Sequence, residues 1–174
     1  MEAPTEHLHE NIKEGAEHGA RWMTSVALST AVLAVLAAIA SLMANHNSDE
    51  AILTQIQASD QWAYYQAKSI KSTILESGNK VLAGMGKEVV AADAAKIKSN
   101  YADQEKIRRA AEKLGEESKA HVELHKTLSK AVTIFQIAIA LSAITILSRR
   151  KELWYVSLVL SLGGLYYLVS GVLW

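Results

Sequence analysis

The residues best suited to chemistry in this chain are histidines and glutamates set one helical turn apart. His7, Asn11, Glu14 and His18 recur at steps of four, three and four, so they share one face of a helix. Imidazole and carboxylate at that spacing bind Zn²⁺ or a similar ion when a third ligand completes the site. The sequence enforces no such third ligand. Leu8, Ile12 and Ala16 line another face, and the segment reads more simply as an interfacial amphipathic helix. His121 and His125 form a second pair, with Glu117 one turn earlier. Glu123 lies between them at the wrong offset for the His-Glu-x-x-His helix of metalloproteases. This pair reads first as a solvated helix face, with metal binding and pH-responsive packing as the alternatives.

Other chemistries lack their parts. Gly84-Met85-Gly86-Lys87 is too short for a phosphate-binding loop and is not followed by Ser or Thr. No nucleophile–base constellation is present, so no enzymatic activity and no cofactor are expected. Cysteine is absent, which removes disulfides and thiolate-ligated metals. With 18 basic and 18 acidic side chains the formal charge is zero, and no net field draws the chain to nucleic acid.

The elements that must position these residues follow from three uncharged stretches: 22–44, 131–147 and 154–174. An apolar helix of about 20 residues spans a bilayer's hydrocarbon core. The first stretch is too long for a signal-peptide core, and glutamates outnumber basic residues before it, so a retained transmembrane helix is expected. Its alanines fall four apart at Ala27/Ala31 and Ala34/Ala38, the spacing that lets helices approach closely. Gly164 and Gly171 give the third stretch a flat side, and its Trp and Tyr residues match interfacial belts. No stretch holds an Asp, Glu, Lys, Arg or His, which argues against a proton relay or charge-coordinated transport. Thr24, Ser25, Ser29, Thr30 and Ser41 leave a hydroxyl-lined oligomeric pathway as an alternative.

The basic turn 148–153, with Arg149, Arg150 and Lys151, predicts a cytoplasmic location for itself and for the N-terminal segment 1–21. The polar excursion 45–130 then lies on the opposite side of the membrane, a bacterial inner membrane in this reading. Lys119, Lys126 and Lys130 argue the other way, but long segments cross largely regardless of charge.

Within 45–130 the chain is rich in helix formers, and its glycines cluster between 77 and 87. This pattern predicts an antiparallel, coiled-coil-like hairpin. Ser48 offers a helix cap, although the first span could equally run straight through it. One expected seam runs Ile52, Ile56, Ser59, Ala63, Gln66, Ile70. The other runs Val90, Ala94, Ile97, Tyr101, Gln104, Arg108, Ala111, Gly115, Ser118, Val122. Ala, Ser, Gln and Arg dilute both, whereas a stable two-stranded coiled coil prefers Leu, Ile and Val. Further partners are therefore expected, either copies of the chain itself or another, unidentified protein.

Asp60, Trp62, Tyr65 and Lys68 form a dense aromatic and hydrogen-bonding set on the first arm. Packing within the hairpin and contact between subunits are both open to it. The stretch Asp60-Gln61-Trp62-Ala63-Tyr64-Tyr65-Gln66-Ala67-Lys68, the Glu/His-rich N-terminus and the two closing spans carry a resemblance. Together they resemble a bacterial membrane-protein family catalogued as a domain of unknown function, number 4337. The resemblance implies a helical membrane protein and no particular activity. The sequence as a whole predicts an all-α membrane protein with three transmembrane helices and a helical hairpin, assembled as a homo-oligomer.

Overall fold

A computed structural model describes the backbone of residues 4–88 and 91–173, and side chains from Arg21 onward except those of residues 89, 90, 92 and 174. Three helices account for the fold: α1 (Pro4–Gly84), α2 (Ala91–Ser148) and α3 (Lys151–Val172). No strand occurs among the described residues. Ser48 lies inside α1 rather than at a helix start. The helices form two compact units, one comprising the chain up to His46 with Leu124–Trp174, the other Asn47–Glu123.

In the first unit, segments of all three helices share an apolar core. Leu33, Ala37, Ala40 and Ala44 of α1 meet Leu128, Ala131, Phe135 and Ala138 of α2, with Leu168 from α3. Alanine recurs at steps of three and four on this face, so the helices approach closely around the larger rings and branched chains. Ala27, Ala31, Ala34 and Ala38, where the four-residue spacing predicts helix packing, are exposed in the chain. The larger Leu28, Val32, Val35 and Leu42 of α1 are exposed, while the buried side is mostly alanine with Val26 and Leu33. Small side chains facing inward are what allow the neighbouring helices to approach. The turn into α3 places Arg149 in the left-handed region at φ 55°, a conformation that costs a non-glycine residue about 1–2 kcal/mol. A basic side chain is retained there although glycine fits the backbone better.

In the second unit, α1 and α2 run antiparallel. The first glycine cluster does not break α1, which continues through Gly78 and Asn79. Only the second ends it. Gly86 takes φ 70°, its N–H donates to Ala83 O, and Lys87 N–H donates to Leu82 O. That pair of bonds is a Schellman cap, which requires a left-handed residue where glycine sits. A helical glycine with no cap geometry costs only about 1 kcal/mol, too little to stop so long a helix.

The seam expected on the first arm is corrected. Ile52, Ile56, Ser59, Ala63, Gln66 and Ile70 are all exposed, whereas Ala51, Thr54, Ala58 and Ser72 are buried. Hydrophobicity alone selects the isoleucine row, but the arms pack through small residues and polar contacts. On the second arm, Gln104, Ala111 and Ser118 of the expected seam are buried, joined by Asn100 and Ile107. Ala94, Tyr101 and Val122 face solvent, and Val90 lies outside the described residues.

Candidate functional site

Lys68 is the focus of the second unit. Its Nζ donates to Asp103 Oδ2 at 2.8 Å and to Asn100 Oδ1 at 3.3 Å, and stands 5.7 Å from the centroid of the Tyr64 ring. The bond to Asp103 raises the lysine's pKa and lowers that of the carboxyl. Next to Asn100 on α2, Tyr101 donates to Glu76 Oε1 at 2.8 Å, and that bond raises the phenol's pKa. Glu105 accepts from Arg108 and Arg109, which lowers its carboxyl to about 2. Trp62 and Tyr65 meet edge to face with centroids 5.7 Å apart. Of the four residues singled out on this arm, Lys68 reaches across to α2. Asp60 and Trp62 are exposed, and Tyr65 is half-buried.

Toward the end of this unit the arms come closer. Ser118 Oγ donates to the Ala51 carbonyl at 2.8 Å, a contact that two small residues permit. His121 Nδ1 donates to Asn47 Oδ1 at 3.0 Å. In the first unit, His125 Nδ1 donates to the Ala44 carbonyl at 2.8 Å. Both histidines brace neighbouring helices. Among the described residues no group of three or more His, Asp or Glu gathers as a metal site. The side chains of His7, Glu14 and His18 lie outside the described residues.

The glycines of α3 meet large side chains of α2. A Cβ at Gly164 would stand 2.8 Å from Phe135 Cε1, and one at Gly171 would stand 2.7 Å from Leu128 Cδ2. Ser157 Oγ donates to the Ala138 carbonyl at 2.9 Å and lies 2.8 Å from Ser142 Oγ, with both serines buried. Trp154 Nε1 donates to Ser29 Oγ at 3.1 Å, and Lys151 Nζ stands 5.8 Å from the Trp22 ring centroid. The start of the first apolar stretch therefore sits beside the basic turn.

Sequence reasoning did not find Asn100, Asp103, Glu76 or Asn47. The usable signal was the position of the turn. Once Gly86 is fixed as the reversal point, Lys68 and Asp103 lie nearly equidistant from it and must face each other.

These features define an all-α protein with three helices long and apolar enough to cross a membrane. The chain belongs to the family described as a domain of unknown function, DUF4337, whose model matches residues 22–174. This is the family that the Asp60–Lys68 stretch resembles. The match begins at Trp22, so the Glu/His-rich N-terminus quoted with that resemblance lies outside it. Comparison with curated proteins and with solved structures returned no match.

Proposed function

We propose that this protein is an integral membrane protein that self-assembles and acts as a scaffold or accessory component rather than as an enzyme. The observation that carries the reading is a row of aliphatic side chains with nothing packed on it. Ile52, Ile56, Ile70, Ile74 and Val81 of α1 lie in the second unit, outside the uncharged stretches, and are 53–64% exposed. Their spacings of 4, 14, 4 and 7 residues keep them on one helical face. The row is interrupted by Ser59, Ala63 and Gln66 between Ile56 and Ile70, but its exposed aliphatic ends suit an interaction surface, and further copies of the chain are its simplest partner.

Bilayer insertion is supported by the first unit. Leu28, Val32, Val35, Leu42, Val159 and Leu162 are all exposed there, a surface suited to lipid rather than water. Lys151 beside Trp22 and Trp154 beside Ser29 bring the basic turn and the start of the first span to one end. This favours a cytoplasmic side shared by segment 1–21 and the 148–153 turn, with 45–130 opposite.

The channel reading is less favoured. Ser25 donates to Arg21 O, and Ser29 and Thr30 donate to Val26 O, so their hydroxyl protons are directed at their own helix. Reconstitution separates the readings: a scaffold gives no ion flux above empty liposomes. The decisive measurement is particle mass in a native nanodisc. Wild type is expected as a multimer, and an Ile70→Glu/Ile74→Glu variant as a smaller particle of unchanged helix content. A monomeric wild type overturns self-assembly.

A further inference from the structure

α2 passes from charged to uncharged sequence between Lys130 and Ala131. At this passage a groove of about 480 Å³ opens between α2 and Tyr167 of α3, wholly within the first unit. Residues 125, 129 and 133 recur every four positions, as do 126, 130 and 134, so one broad face of α2 supplies the wall. Its polar end holds the Lys126 and Lys130 side chains, the Ser129 hydroxyl and the His125 imidazole. Thr133 and Ile134 lie one turn further along α2, and the Tyr167 ring lines the groove from α3.

Three details decide what fits. No carboxylate lines the groove, although the chain carries as many acidic as basic residues. Lys130 Nζ stands 5.7 Å from the Tyr167 ring centroid, so the ammonium lies over the aromatic face. His125 is held by its Nδ1 bond to Ala44 O, with Nε2 3.5 Å from Ser129 Oγ. Two lysines and a hydroxyl therefore line one face of α2 beside an aromatic ring and an aliphatic side chain.

We infer that this groove binds an acidic phospholipid. The headgroup phosphate lies between Lys126 and Lys130, and the glycerol end rests on Ile134 and Tyr167. Charge complementarity selects an anion, and the apolar lining selects one with a hydrocarbon attachment. Basic pockets between membrane helices recognise lipid headgroups by this combination. Free phosphate uses only the lysines and gains nothing from the apolar lining. The inference rests on the bilayer reading proposed above and adds a ligand class to it.

Native mass spectrometry of the detergent-purified full chain tests it, with phosphatidylglycerol and phosphatidylcholine as probes. Wild type is expected to retain phosphatidylglycerol in preference to phosphatidylcholine. Lys126→Gln/Lys130→Gln should lower that retention on the order of 10-fold, as loss of two charge-assisted contacts to the phosphate would. Lys113→Gln/Lys119→Gln removes the same charge outside the groove and should leave retention unchanged. Both groove lysines are exposed, so their replacement spares the core, and each single variant should show part of the loss. Equal retention of the two lipids, an unaffected groove variant, or an equal loss in the control pair overturns the inference. Displacement of the lipid by millimolar inorganic phosphate overturns it in favour of a free-anion site. Release of wild type from membranes by alkaline carbonate removes the bilayer reading and this inference together. An embedded protein with no lipid preference removes this inference alone.

Discussion

The ring of Phe135 occupies the space that a side chain at Gly164 would need. A Cβ there would come within 2.8 Å of Cε1 and 2.9 Å of Cδ1. Phe135 is fully buried in the α1–α2–α3 core. Gly164→Ala should therefore destabilise the first unit by about 1–3 kcal/mol, as overpacking does. The adjacent Gly163, also inside α3, meets nothing within 4 Å, and Gly163→Ala should leave stability unchanged or raise it by up to about 1 kcal/mol. Denaturant unfolding in detergent checks both. Adding Phe135→Leu should restore part of the Gly164→Ala loss. If the two alanine variants unfold alike, the close approach at Gly164 is not what joins α2 to α3.

Ser142 and Ser157 make a second prediction in the same bundle. The Ser157 proton goes to Ala138 O, so the Ser142 hydroxyl donates to Ser157 Oγ. Ser142→Ala removes one bond and leaves the other, for a loss near the 0.6 kcal/mol average (at most about 1.7) of such contacts between membrane helices. Ser157→Ala removes both and strands the buried Ser142 hydroxyl, so it should cost more. Unfolding of the two single variants in one detergent gives the ranking. The reverse order would place the proton on the other serine.

The charged contacts of the second unit predict its response to acid. The bond and charge of Lys68 hold Asp103 below its ordinary value of 3.8, and Arg108 and Arg109 hold Glu105 at about 2 against an ordinary 4.5. A carboxylate with a depressed folded-state pKa contributes stability above its unfolded value and loses it as pH falls through the folded one. Stability should thus be insensitive to these groups between pH 7 and 5. It should decline below about 4.5 and lose Glu105's share near pH 2. Lys68, with its pKa raised, adds no change until strongly alkaline pH. Asp103→Asn should lower stability at pH 7 and flatten the acid limb of a melting-temperature profile. An acid limb unchanged in this variant would remove Asp103 as a contributor.

The parts of the molecule governed by hydropathy and backbone geometry were legible in the sequence. Uncharged stretches locate helices long enough to span a bilayer, and the glycines between 77 and 87 bracket the reversal between arms. The parts governed by side-chain size and pairing were not. Gly78 and Gly86 look alike in sequence, and only the hydrogen bonds of Ala83 and Leu82 distinguish a cap from a tolerated helical glycine. Asp103 and Asn100 become partners of Lys68 only after the register is known. The aromatic stretch around Trp62 marked the right arm, yet Lys68 reaches across to Asp103 while Asp60 remains exposed.

The seam itself yields the sharpest contrast between reading and structure. Ala58 is 2% exposed and Ile56, two residues earlier, is 53% exposed. A rule of apolar residues inside would invert that order. Ala58→Leu should force the arms apart and destabilise the second unit by about 1–3 kcal/mol, seen as faster amide exchange across Asn47–Glu123. Ile56→Ala should leave that exchange nearly unchanged, because its side chain touches no core, and should instead lower the particle mass of the assembly. A lower particle mass without faster exchange assigns the isoleucine row to contacts between chains. Faster exchange in Ile56→Ala matching that in Ala58→Leu would return Ile56 to the hairpin's own seam.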